Sequence, residues 1–479
     1  MMTFVKRYEN ISDQFSVVSR PKVSMMPELL LWNDDLVTQL AIPLVANEAA
    51  ELLSGNRVLP DVEPVALAYS GHQFGHFNPT LGDGRAHLLG AFTDPQGQLL
   101  DIQLKGSGRT PFSRGGDGLC ALGPAVREYV MSRAMAALGV PTTHCLAVVT
   151  TGDSVFREQA VAGAVVSRIA SSHIRVGSFQ YLALNDDKHG MRELMEHAIA
   201  SHYPHITETG DARTVAFLSA VCEKQIELII QWLRVGFIHG VMNTDNTLVS
   251  GETIDYGPCA MLEAFDFNQV YSSIDKQGRY AFGNQPNIAN WNCARLAESL
   301  LTIMESEEDT ALNMLTTAIG TFSDKFNQAY KAMWANKLGI LEWRESDSEL
   351  LSELLTLMNE HKLDYTNTFA ALTNSIMAKP SNLFIVHEVI AGWYKKWQLR
   401  IAEAECTDIA KIMSRVNPAV VPRNQLVEQV IEQFMEVGSS DFLTQWLPVL
   451  NDPYNYEQQT SAFIEPLPSG ANYHTFCGT

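Results

Sequence analysis

Three observations predict an α+β fold of two lobes separated by a cleft. Residues 65–180 are rich in glycine and in short β-like runs. Long helical patterns take over from about residue 180. A β-rich part followed by an α-rich part packs as two units with a cleft between them, where ligands often bind. The third observation is length, because 479 residues exceed what one hydrophobic core serves. The expected division is an N-terminal extension over 1–64, a β-rich lobe over 65–180, a helical lobe with the catalytic loop over 181–300, and a helical region over 301–479.

The elements follow from local pattern. Pro21, Pro27, Pro43 and Pro60 interrupt short apolar stretches, so the first segment reads as an irregular extension. Leu100, Ile102 and Leu104 alternate with Asp101, Gln103 and Lys105, which predicts a half-buried strand with Lys105 at the end of its polar face. Pro124 suits a first helical position and Gly139 a stop, predicting a helix over 124–138 with Val126, Tyr129, Val130 and Leu138 as its apolar stripe. Val215, Leu218, Cys222, Ile226, Ile229 and Leu233 recur at steps of three and four, so a long amphipathic helix should end at Gly236. Beyond residue 300, stretches such as NQLVEQVIEQFMEV read as packed helices without a catalytic motif.

Composition narrows the function classes. A formal charge of −20 argues against broad nucleic-acid or membrane binding. No run of about 18 apolar residues is present to span a bilayer, and none long enough for a secretion signal follows MMTFVKRYEN. The seven cysteines include no C-x-x-C pair, which fits a reducing compartment, and a cytoplasmic protein is expected. Cys477 stands near the C-terminus, where a thiol is expected to be exposed, either redox-active or without a role.

Several segments carry candidate chemistry. In LGDGRAHLLGAF, Gly82 and Gly84 flank a turn and Arg85 follows, a pattern that admits a phosphate or makes only a turn. Lys105 at a strand end and Glu128 early in the next helix can pair in a cleft and present the ammonium to a phosphate. The loop between them holds six glycines with Arg109, Arg114 and Asp117, a candidate anion cradle. Asp117 and Gly118 contact a base or ribose, or make a turn. Arg168 and Arg175, seven residues apart, converge on phosphates or stand solvated. Asn246 and Asp255 are nine residues apart, and the stretch between them reads as a tight hairpin about Ser250-Gly251 that would let both share one hard cation such as magnesium. Asp245 beside them is a general base or a further metal-shell residue.

These residues stand in the order of the protein-kinase signature: strand lysine (Lys105), helix glutamate (Glu128), catalytic-loop asparagine (Asn246) and metal-binding aspartate in Asp255-Tyr256-Gly257. Five residues before the asparagine, ordinary kinases hold the aspartate that accepts the hydroxyl proton, and here that place is Val241. By that criterion the chain resembles a pseudokinase. From about residue 65 to its end it closely resembles the SelO family, called YdiU in bacteria. The likeness rests on YSGHQFGHFNPTLGDGRA, LKGSGRTPFSRGGDG, HGVMNTDN and TIDYGP.

The resemblance implies a protein-kinase-like fold of β-rich and helical lobes with a helical C-terminal extension. It also implies ATP bound in a flipped orientation, γ-phosphate buried and α-phosphate presented. AMP then passes to Ser, Thr or Tyr hydroxyls of acceptor proteins with release of pyrophosphate. UTP is implied as a second donor, and Mg2+ or Mn2+ as the metal. Carried onto this sequence, Gly82, Gly84, Arg85, Lys105, Asp117, Gly118, Arg168, Arg175 and Asp255 match the nucleotide-binding positions. Asp245 matches the general base, Asn246 and Asp255 the metal ligands, and Glu128 the partner of the lysine. Some relatives pair a C-terminal cysteine with a thiol after the metal aspartate. That place is Tyr271 here, so Cys477 would need Cys259 or Cys120, or form no disulfide. Two other readings stay open: an ordinary phosphotransferase with Asp245 as base, and an inactive nucleotide-binding scaffold.

Overall fold

A computed structural model describes residues 4–59, 62–157, 159–403, 408–468 and 473–475. It combines a β-sheet in the N-terminal region with helices that dominate from residue 176 onward. The sheet contains β1 (Ser16–Val18), β2 (Glu28–Trp32), β3 (Val65–Leu67), β6 (Ala86–Thr93), β7 (Leu99–Lys105), β8 (Cys120–Ala121), β9 (His144–Phe156) and β10 (Ala160–Ala170). Its order is β1-β3-β6-β7-β10-β9-β2, with β8 paired to β10. A separate hairpin, β4 (Gly71–Gln73) and β5 (His76–Asn78), precedes β6. The expectation of an irregular first segment is corrected here: β1 and β2 supply the two ends of the sheet. Their strands are short enough for the prolines to sit outside them.

One face of the sheet is covered by α1 (Asp34–Gln39) and α2 (Ala46–Leu53), whose Leu36, Leu52 and Leu53 pack on Leu89, Ile102, Leu104 and Val149. The other face meets α3 (Leu122–Ala137), which matches the expected helix to within two residues at each end. Tyr129, Val130 and Ala134 join it to the larger core. That core continues through α4 (Val176–Leu184), α5 (Lys188–His202), the long α6 (Gly210–Val235) and α7 (Gln285–Leu301). α6 ends at Gly236, as its periodicity predicts. Further helices between 308 and 464 extend the same core. No helix of the described residues is long and apolar enough to cross a membrane.

The N-terminal residues are tied in by buried polar contacts. Arg7 donates to Asp101 Oδ1 at 2.9 Å, to the Ser171 carbonyl at 2.6 Å and, through Nε, to His197 Nε2 at 3.1 Å. That last bond requires a neutral imidazole, since arginine only donates. Burial pushes the pKa values of His197, His202 and His87 down to about 4. Unfolded histidine titrates near ~6.5, so the unfolded chain binds more protons between those values. This contribution is fully present above about pH 6.5 and falls as pH drops through 4, by about 3 kcal/mol at most for each histidine. Urea unfolding at pH 7 and at pH 4.5 measures this, and equal midpoints would contradict it.

Candidate active site

A cleft of about 470 Å³ opens between the sheet and the helices. Its floor is set by β7. The alternation in that strand is real, but its polar side is not solvated, which corrects the half-buried expectation: Asp101, Gln103 and Lys105 are all buried. They are buried because partners from other elements satisfy them. Lys105 Nζ reaches Glu128 Oε2 of α3 at 2.7 Å and also contacts Asp255 Oδ1. Arg168 of β10 donates to Glu128 Oε1 through Nη2 at 2.6 Å and Nε at 2.9 Å. The same guanidinium reaches Asp255 Oδ1 at 3.0 Å and Gln103 Oε1 at 3.2 Å. Two cations and two carboxylates thus alternate in one buried cluster. Burial alone would raise the pKa of both acids, but Lys105 and Arg168 outweigh it, holding Glu128 below and Asp255 well below the ordinary carboxylate range.

The loop expected to carry Asp245 and Asn246 into the site follows α6. Thr244–Asn246 form a single 3-10 turn that presents Asp245 and Asn246 to the cleft. Asp245 Oδ2 accepts from Gln73 Nε2 at 3.2 Å, whereas Oδ1 is buried without a partner. Burial pushes its pKa up to about 6, against the pull of Arg175. Asn246 spends its amide N–H on the Val241 carbonyl at 3.1 Å, which leaves its side-chain oxygen as a donor to a cation. The predicted hairpin between Asn246 and Asp255 does not form. Leu248 instead bridges to Arg175 and Thr253 to Thr142, and only a turn closed by Gly251 N to Leu248 O joins them. The backbone groups that a hairpin would pair are taken by neighbouring segments, yet Asn246 and Asp255 still line one cleft. Asp255 has φ +67°, a strained value for a non-glycine residue that the surrounding ion pairs hold in place.

The glycine-rich turn lies opposite. Gly82 has φ +68°, and a Cβ there would sit 2.3 Å from Phe112 Cγ, so only glycine lets the two loops close. Asp83 holds the turn from below, accepting from Leu67 N and Gln103 Nε2, both at 3.1 Å. Arg175 lies 4.2 Å over the Tyr69 ring and donates to the Asp245 carbonyl at 3.0 Å. Its Nε is buried without a partner.

Of the residues singled out from the sequence, Gly82, Gly84, Arg85, Lys105, Asp117, Gly118, Glu128, Arg175, Asp245, Asn246 and Asp255 line the cleft, and so does Arg114. Arg168 does not line it. It lies underneath, committed to Glu128 and Asp255. Asp117 faces the cleft with its carboxylate paired to Arg157 at 2.7 Å. Gln73, Tyr69 and Arg157 escaped the sequence reading. Gln73 and Tyr69 sit inside the quoted YSGHQFGHF stretch, so the motif held the signal, but spacing alone assigns neither a partner.

Residues 1–451 match the family described as protein adenylyltransferase SelO. The chain belongs to the SelO family. Relatives named protein nucleotidyltransferase YdiU include those of Pseudoalteromonas translucida, 54% identical over 100% of both chains, and Teredinibacter turnerae, 47% identical over 100% of both. That of Anoxybacillus flavithermus is 45% identical over 99% of each. SelO membership thus makes this a nucleotidyltransferase-family enzyme. The side-chain oxygen of Asn246, without a hydrogen-bond partner among the described residues, and the ionised carboxylate of Asp255 are hard oxygen ligands that fit a divalent cation. Lys105 and Arg168 both bond to Asp255 through Oδ1.

The C-terminal helices of this SelO chain brace the site from behind. The helix Asn424–Val437 packs on α3, where Arg127, next to Glu128, pairs with Glu428. Tyr473 donates to the same glutamate at 2.7 Å. Thr475 then donates to the Tyr271 carbonyl at 2.8 Å and the Pro258 carbonyl at 2.6 Å, so the tail runs beside the segment after Asp255. Cys477 lies outside the described residues. Cys120 and Cys259 are buried free thiols, and burial pushes that of Cys259 up to about 12.

Proposed function

We propose that this enzyme transfers the nucleotidyl group of ATP, AMP, onto Ser, Thr or Tyr hydroxyls of proteins and releases pyrophosphate, with UTP and UMP as a second donor pair. The observation that carries the reading is the position of Asp245. It faces the cleft beside Asn246 and Asp255, while Val241 occupies the place of a kinase's proton acceptor. Lys105, Arg85 and Arg175 line the same cleft, which supports a site for a highly charged phosphate chain.

In this reading Lys105 and Arg175, with Arg85, Gly82 and Gly84, hold the β- and γ-phosphates inward, and Asp117 with Gly118 meets the nucleoside side. Arg168 positions Lys105 and Asp255 through the ion-pair cluster described above. Asn246 and Asp255 would hold Mg2+ or Mn2+, which supplies Lewis-acid neutralisation of the phosphate charge when bound. Asp245 accepts the acceptor hydroxyl's proton as the oxygen bonds to the α-phosphorus. The bond from that phosphorus to the bridging oxygen breaks, and pyrophosphate departs with its charge met by the cations. A pKa of about 6 leaves Asp245 ionised and able to take a proton near neutral pH. A cytoplasmic setting fits ATP as donor, and the acidic surface fits protein rather than nucleic-acid acceptors.

ATP labelled separately at the α and γ positions tests the reaction class. Label carried to an acceptor protein from the α position alone is the expected result. Label carried from γ would establish an ordinary phosphotransferase instead, and none from either would leave the scaffold reading standing.

A further inference from the structure

The rim of the cleft beside Asp245 is built by the β4–β5 hairpin and the loop before α7. The first arm of the hairpin lies along the catalytic loop. His72 N donates to Thr244 Oγ1 at 2.7 Å, and Gln73 Nε2 to Asp245 Oδ2 at 3.2 Å. Phe74 N donates to the Tyr280 hydroxyl at 3.0 Å, and that hydroxyl donates to Asn243 Oδ1 at 2.7 Å. Gln73, Phe74 and Asn243 line the cleft with Ile274, which is 51% exposed. This rim is the part of the cleft wall next to Asp245.

Arg279 stands just outside it. Its guanidinium lies 4.8 Å over the ring of Trp291, and its carbon is 3.5 Å from where a side chain on Gly75 would begin. Gly75, at the hairpin turn, has φ +85° and no side chain to cover it. Arg295 lies over the same ring at 4.8 Å but is paired with Glu298 at 2.7 Å. Arg279 has no carboxylate within ion-pair distance among the described residues, and its Nε is buried without a partner. His72 packs edge-on against Trp291, and Phe77 beside it is 42% exposed. The Asp275 carboxylate is spent on the backbone N–H groups of Arg279 and Tyr280, at 2.9 and 2.7 Å, so among the described residues the Arg279 guanidinium is left without an ion-pair partner in a chain of net charge −20.

We propose that this rim receives the acceptor protein, and that Arg279 selects hydroxyls with an acidic side chain nearby in the acceptor's sequence. The proposal rests on the transfer reaction above and adds a substrate class to it. A guanidinium packed against the rings of Trp291 and Tyr280 has little freedom left to lose on binding, and its terminal N–H groups are the ones that would meet a carboxylate. The acidic surface as a whole repels an acidic acceptor, so the recognition has to be this short-range contact.

A randomised peptide library centred on Ser, Thr or Tyr, incubated with the full-length enzyme and ATP and read by mass spectrometry, tests it. The expected result is enrichment of Asp and Glu within about three positions of the modified hydroxyl, by roughly tenfold over neutral residues, as one charge-assisted contact supplies. Arg279→Glu should reverse that preference toward Lys and Arg while leaving the KM for ATP unchanged, and Arg279→Lys should keep part of it. The proposal is overturned if no acidic enrichment is found, if it persists in Arg279→Glu, or if Arg279→Glu raises the KM for ATP instead. It is also overturned if α-label reaches a protein acceptor but no peptide. Absence of α-label from every acceptor would sink the transfer reaction, and this proposal with it.

Discussion

Asp255→Ala is expected to abolish nucleotidyl transfer, lowering kcat by about 10³-fold or more, because several kcal/mol of charge stabilisation at the reacting phosphate goes with it. Two effects add. The carboxylate that would hold the metal is lost, and Lys105 and Arg168 lose one of the two acids that orient them. Glu128 still pairs with both cations, so the fold should survive and the loss should appear in kcat. Asp255→Asn separates the two effects, since it keeps the shape and removes the charge. Transfer rates with saturating Mg2+ or Mn2+ measure the outcome, and an undiminished rate in Asp255→Ala would refute the role.

Glu128→Ala should cost about 3–5 kcal/mol of stability, the usual consequence of removing one partner from a buried ion pair. Lys105 and Arg168 would then be buried against each other, sharing only Asp255. Desolvation is the reason: the charges were tolerated inside because an opposite charge met each of them at 2.6 to 2.7 Å. Urea unfolding of the variant measures the effect. A loss under about 1 kcal/mol would mean that the cluster is hydrated and weakly coupled. The C-terminal helix that packs on α3 should not compensate, because its own ion pair is made to Arg127.

Much of the architecture was legible in local pattern. Periodicity found β7 and α6, because each carries apolar residues at a spacing that repeats within one segment, and Pro124 with Gly139 marked the ends of α3. The order of lysine, glutamate, asparagine and aspartate found the cleft, because those residue types serve charged phosphates and a hard cation. Two readings failed for one physical reason. Residues 247–254 resemble a hairpin locally, but Leu248 and Thr253 find backbone partners on Arg175 and Thr142. The proline-rich first segment resembles a tail, but β1 and β2 pair with β3 and β9. Backbone hydrogen bonds to distant strands leave no trace in a window of ten residues.

By itself, the sequence determined the inventory: which side chains carry charge or offer hard oxygen ligands, the strand and helices that bear them, and the family to which the chain belongs. Only the tertiary structure decided how those charges are shared. It placed Arg168 beneath the cleft rather than in it, left Arg279 unneutralised at the rim, and gave Asp245 the partner Gln73. Charge interactions depend on distance and burial, and both are set by contacts between residues far apart in the chain, 150 positions for Lys105 and Asp255 and 172 for Gln73 and Asp245.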